Sequence, residues 1–121
     1  MIFSENIPIF VQIAERLSDE ILAGNYAEGE RVPSVREYSV LLEVNVNTTV
    51  KAYDLLSSRG VLLMKRGMGY FVSEGAAQHI LEERRGELLQ KKIPELVKQM
   101  LLLRVKVADV AEAMRQCGAE L

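Results

Sequence analysis

Tryptophan is absent from this chain of 121 residues, and cysteine and histidine occur once each. A lone Cys117 cannot close an internal disulfide, so a secreted disulfide scaffold is excluded and a reducing cytoplasm is the expected compartment. His79 and Cys117 are far apart in sequence, whereas a metal centre needs several ligands at regular spacing. Both read as structural residues, and no metal or other cofactor is expected. With its only histidine in the C-terminal part, the chain cannot assemble a Ser/His/Asp or Cys/His set, and no enzyme activity is expected. Uninterrupted apolar runs such as Met100 to Leu103 fall far short of the ~20 residues that span a bilayer. The opening MIFSENIPIF lacks the basic start and long apolar stretch of a signal peptide.

What is present describes a folding chain. Apolar residues make up 49% and charged residues 26%, enough to bury a core rather than remain disordered. The net charge of −2 hides a gradient. Residues 1–30 carry one basic side chain against six acidic ones; residues 31–73 carry six (Arg31, Arg36, Lys51, Arg59, Lys65, Arg66) against three; residues 74–121 balance at eight each. Only the middle is net basic, which makes it the candidate footprint for an anionic partner.

Phe10, Ile13, Leu17 and Ile21 recur at helical spacing and predict a helix over about Pro8 to Ala23, with Asn6 as its cap. AGNYAEGERVPS then supplies loop chemistry. Ser34 caps a second helix that turns Val35, Tyr38 and Leu41 or Leu42 inward and stops near Glu43. Asn45 caps a third from Val46 to about Ser58, with apolar contacts from Val50, Tyr53, Leu55 and Leu56, and Gly60 ends it. Leu62 to Arg66 and Tyr70 to Ser73 read as strands around Gly67-Met68-Gly69, a hairpin. Beyond Gly75, Leu89, Ile93, Leu96, Val97, Met100 and Leu101 form an apolar helical stripe, and Pro94 within it kinks or splits the helix. Val107, Val110, Ala111 and Met114 signal a last helix. Helix, helix, tight turn, helix, hairpin is the order of a winged helix-turn-helix, whose third helix enters a major groove.

RVPSVREYSVLLEVNVNTTVKAYDLLSSRGVLLMKRGMGYFV resembles the DNA-binding domain of the GntR family of bacterial transcription regulators. The resemblance rests on Pro33, Ser34 and Arg36; on Val44, Asn45, Asn47 and Thr48; on Gly60; and on Arg66, Gly67, Gly69, Phe71 and Val72. It covers about residues 8–73. The short helical tail is similar to that of the YtrA-type subfamily, where it serves dimerisation. The expected fold is therefore mostly α with a small β-hairpin wing: a winged helix-turn-helix over 1–74 and a two-helix dimerisation tail over 75–121. Two positions depart from the family pattern. Glu43 stands where the turn between helices has Gly, and Val46 where Arg or Pro is common.

The resemblance implies a transcription regulator, a repressor, that binds a palindromic double-stranded DNA operator as a homodimer. Ser34, Arg36, Asn45, Asn47, Thr48, Thr49, Lys51, Arg66 and Gly67 are the expected DNA-binding residues. Asn45 caps the third helix in any case, yet four small polar side chains in five residues exceed what capping needs. Asn47 pairs with adenine and Thr48 offers a hydroxyl and a methyl, while Arg36, Lys51 and Arg66 suit phosphates. Tyr53 is either a phosphate-contacting hydroxyl or core. The expected dimer interface is Leu89, Ile93, Leu96, Val97, Met100, Leu101, Val110 and Met114. The competing reading is a winged-helix module for protein–protein contact, which the acidic first segment favours and the central cations oppose.

Overall fold

Residues 3–120 are described by a computed structural model. Within them the fold is mostly helical with one two-stranded antiparallel hairpin, and the chain divides into two compact units between Glu82 and Glu83.

The first unit opens with α1 (Ile9–Leu22), whose Ile13, Leu17 and Ile21, with Ala14 and Ser18 beside them, are buried. Pro8, not Asn6, is the residue that precedes the helix, and it offers no side-chain acceptor. Gln12 ties down the entry instead. Its amide nitrogen donates to the carbonyls of Ser4 (2.9 Å) and Ile7 (2.7 Å), and its Oε1 accepts the Ser4 N–H at 2.8 Å.

Ser34 caps α2 (Val35–Leu42) in a full capping box: Glu37 N–H donates to Ser34 Oγ at 3.1 Å, and Ser34 N–H to Glu37 Oε1 at 3.4 Å. Leu42 is the leucine that faces inward, while Leu41 faces water. The helix stops at Glu43, which adopts the left-handed conformation (φ 56°, ψ 48°) so that Val44 N–H reaches the Ser39 carbonyl at 3.0 Å. Such a turn costs a non-glycine residue roughly 1–2 kcal/mol. Asn45 Oδ1 then accepts the Asn47 N–H at 2.8 Å and starts α3 (Val46–Ser58). Its buried face is Thr49, Ala52, Tyr53 and Leu56. Val50, expected to pack inward, is exposed because the helix turns Thr49, Ala52, Tyr53 and Leu56 into the core and leaves Val50 beside that stripe.

The wing pairs β1 (Leu62–Lys65) with β2 (Gly69–Val72) in the register Leu62↔Val72 to Lys65↔Gly69, so the tip is Arg66-Gly67-Met68, one residue earlier than expected. Met68 N–H closes the turn on the Lys65 carbonyl at 2.9 Å, and Gly67 supplies its positive φ of 75°. The loop before α2 pairs with the other edge of β2: Val32 N–H donates to Tyr70 O (3.0 Å) and Val72 N–H to Glu30 O (2.9 Å). Helices and wing meet at three tyrosines. Tyr38 and Tyr53 lie 6.1 Å apart, and Tyr53 meets Tyr70 edge-on at 5.0 Å. Tyr53 is core: it is fully buried and its hydroxyl donates to the Pro33 carbonyl at 2.6 Å. Tyr38 donates to Glu20 at 3.0 Å.

Helix α4 (Ala76–Glu87) shifts the expected boundary at 74/75. Ala76 and Ile80 are buried in the same cluster as Val72 and Ile13, so the start of this helix completes the winged unit.

In the second unit a π turn (Leu88–Lys92) precedes α5 (Ile93–Leu103), with Ile93 N–H donating to the Leu88 carbonyl. The expected kink at Pro94 is absorbed here. An ordinary α turn would bring the proline ring onto the Gln90 carbonyl, and the wider turn gives the ring room. It also breaks the helical phase between Leu89 and the apolar residues of α5. Arg104 is left-handed (φ 56°) and ends α5; α6 (Val107–Gln116) follows, started by Lys106 N–H donating to Asp109 Oδ2 at 3.0 Å. No described residue from 83 to 120 is buried.

Candidate nucleic-acid interface

Helix α3 is amphipathic with an unusual outer face. Asn45, Val46, Asn47, Val50 and Lys51 are exposed and Thr48 is half-buried, all within its first two turns. The positive dipole end of this helix lies at the same place as its cap, the start of α3, where anions are favoured. Thr49 leaves the expected set. It is 0% exposed, and its hydroxyl is hydrogen-bonded to Ser39 at 2.7 Å across the α2–α3 contact. The Ser39 hydroxyl itself donates to the Val35 carbonyl at 2.7 Å, so the pair is satisfied without water. Four polar residues in five do not show which one turns inward; the helical offset from Tyr53 and Leu56 does.

Arg36 is exposed on the first turn of α2, next to the capping box. Ser34 is half-buried, and its hydroxyl is engaged by Glu37. The Ser34 side chain, then its backbone N–H, and with a smaller effect the charge of Arg31, hold the Glu37 carboxyl below its ordinary range. Burial, above all, raises the Tyr53 hydroxyl far above its ordinary value, so it stays a neutral donor. At the wing tip Arg66, Gly67 and Met68 are exposed. Lys65 is drawn back along the hairpin, its Nζ 4.4 Å from the centre of the Phe71 ring.

Arg31 belongs to this surface although the sequence pattern does not single it out. It bridges to Phe71 on β2, and a Cβ placed on Gly69 would lie 2.9 Å from its Nε. Its guanidinium therefore lies along the wing, half-exposed, 3.8 Å from the Glu37 carboxylate. Only the approach of β2 reveals this; nothing in the spacing from residue 31 to residue 69 could. Through Tyr38, Tyr53 and Tyr70 the three elements that carry Arg36, the outer face of α3 and the wing share one packed frame.

The expected interface residues of the tail are divided. Leu89, Val97, Leu101 and Met114 are exposed, while Ile93, Leu96, Met100 and Val110 are half-buried. Leu102, at 81% exposure, and Leu103 extend the apolar surface beyond the expected stripe. Among the described residues no group of His, Cys, Asp and Glu could hold a metal ion, and no helix is long and apolar enough to cross a membrane.

Two helices joined by a tight turn, the second with a polar outer face, followed by a glycine-tipped hairpin, define the winged helix-turn-helix class of proteins. The family described as "Bacterial regulatory proteins, gntR family" matches residues 10–72, and the chain belongs to the GntR family of helix-turn-helix transcription regulators. It is 29% identical over 113 residues to the uncharacterized HTH-type transcriptional regulator YhcF of Bacillus subtilis (strain 168), covering 93% of this chain and 92% of that protein. It is 27% identical over 114 residues to the HTH-type transcriptional repressor YtrA of the same organism, covering 94% and 87%. A crystal structure of a GntR-family transcriptional regulator from Bacteroides thetaiotaomicron superposes with a TM-score of 0.74 at 36% identity, covering 88% of this chain and 94% of that one. The YtrA-type match thus includes the tail as well as the winged unit, and these relatives are transcription regulators, not enzymes.

Proposed function

We propose that this chain is a cytoplasmic repressor that binds a palindromic operator in double-stranded DNA as a homodimer. The observation that carries the reading is the outer face of α3, which presents Asn47 and Lys51 to solvent at the free end of a helix while the intervening Thr49 locks the helix to α2. Asn47 pairs bidentately with adenine in the major groove, and Thr48 reads beside it. Arg36, Lys51, Arg66 and Arg31 contact phosphates, and the wing tip follows the minor groove, where the narrow negative channel favours Arg66. The repressor role leans on YtrA, which is named a repressor.

The dimer reading rests on the apolar side chains that the second unit leaves in water, Val97 and Leu101 to Leu103 foremost. Burying each is worth roughly 1.5–3 kcal/mol. Several per partner offset an association cost of roughly 4–15 kcal/mol. A two-fold dimer then aims two reading helices at two half-sites.

The test is a gel shift of the full chain on the DNA upstream of its own gene and on duplexes selected from a randomised pool. Sequence-specific complexes are expected. Asn47→Ala should weaken them by roughly 1–3 kcal/mol while non-specific binding is kept. An equal loss in both would show that Asn47 does not read bases, and the absence of any DNA binding would leave a protein–protein module.

A further inference from the structure

We infer that Val46 and Val50 form an apolar edge on the reading helix that packs against thymine C5-methyl groups, so that this chain recognises A·T pairs on both sides of Asn47. The inference rests on the proposal that α3 enters the major groove. Its own ground is the position of the two valines. They stand one helical turn apart, at i and i+4, on the same face of α3. Val46 is 42% and Val50 36% exposed, whereas Thr49, Ala52, Tyr53 and Leu56 on the adjoining side of the helix are sealed in the core.

The structure gives these valines no core to fill. Valine is also a poor choice for a solvated helix surface, because β-branching costs side-chain freedom that Lys, Glu, Gln or Ala would keep. They stand beside Asn45, Asn47 and Lys51, at the positive dipole end of the helix. An occupant must therefore be apolar in patches and anionic nearby. Major-groove DNA meets both conditions: thymine alone among the four bases presents a methyl group there, and the phosphates lie alongside. Asn47 favours an A·T pair between them, since its amide matches adenine N6 and N7. Helix α3 contains no arginine, so the commonest guanine contact is absent from it, and Lys51 is its one cation.

The test removes only the methyl. Duplexes selected by the full chain from a randomised pool are resynthesised with deoxyuridine replacing thymidine at each position in turn, and affinity is read by fluorescence anisotropy. Wild-type protein should lose about four-fold per contacted methyl, the equivalent of roughly 0.8 kcal/mol. Val46→Ala and Val50→Ala should each become indifferent to thymine versus uracil at one position per half-site, with the salt dependence unchanged. Both variants replace exposed side chains by a better helix former, so they should fold. If wild-type protein binds thymine and uracil duplexes equally at every position while Asn47→Ala still loses specific binding, the methyl contact is wrong and the groove reading stands. If Asn47→Ala, Val46→Ala and Val50→Ala all bind like wild type, α3 is not in the groove and both readings fall. A change of oligomeric state in the valine variants, without any change in thymine discrimination, would overturn the inference in favour of a protein contact.

Discussion

Thr49→Val separates what α3 does for folding from what it does for recognition. The substitution keeps the side-chain shape and deletes one hydroxyl. Ser39 retains its bond to the Val35 carbonyl at 2.7 Å, so no buried donor is stranded. The loss is the single buried contact between the Ser39 and Thr49 hydroxyls, also 2.7 Å. A neutral hydrogen bond nets about 0.5–1.5 kcal/mol. For a unit of this size about 1 kcal/mol lowers Tm by roughly 4–8 °C. DNA affinity well below Tm should hardly move, because a domain with about 5–15 kcal/mol of stability stays folded after losing 1. Asn47→Ala should do the reverse: specific affinity falls, while Tm is kept or rises, since alanine favours the helix. Thermal melts by circular dichroism and anisotropy titrations on one selected duplex measure both quantities for both variants. A ten-fold loss of specific binding by Thr49→Val at unchanged Tm would refute the assignment of Thr49 to the core side of the helix.

Three further outcomes are expected. Val97→Glu places an unpaired charge on the exposed apolar face of α5, and sedimentation should show a folded monomer with greatly reduced operator binding; a fully dimeric variant with normal binding would rule out α5 as the interface. Arg36→Ala and Arg66→Ala should each flatten the dependence of log affinity on log salt by roughly one unit per lost phosphate contact, and an unchanged slope in both would place DNA elsewhere. Gly69→Ala should cost roughly 1–3 kcal/mol of stability at φ 112° and drive the Arg31 side chain off the wing. In that background Arg31→Ala should then subtract less from DNA affinity than it does alone; fully additive losses would show that Arg31 does not depend on the space that Gly69 leaves.

The signals legible in the sequence were those that a few neighbouring residues decide by themselves. Ser34 caps α2 because its hydroxyl reaches a backbone N–H three residues on. Asn45 starts α3 because its side chain reaches a backbone N–H two residues on. Gly67 and Gly69 turn the hairpin because they tolerate positive φ. These interactions close within one turn of chain, so their order alone was enough to recognise the winged helix-turn-helix and the GntR family pattern. The parts left to tertiary structure are the choices between adjacent residues on one helix and the meetings of distant ones. The three consecutive polar residues Asn47, Thr48 and Thr49 carry no mark that Thr49 turns inward and Asn47 outward; the burial of Tyr53 and Leu56 in the shared core decides the helix rotation. The same rotation puts Val50 in water. Arg31 lies along Gly69 only because the loop before α2 pairs with β2, and α4 joins the winged unit only because Ala76 and Ile80 are buried in its core. Local hydrogen bonds have one nearby partner and are written in the spacing, whereas burial is shared among elements far apart in sequence and exists only once they have packed.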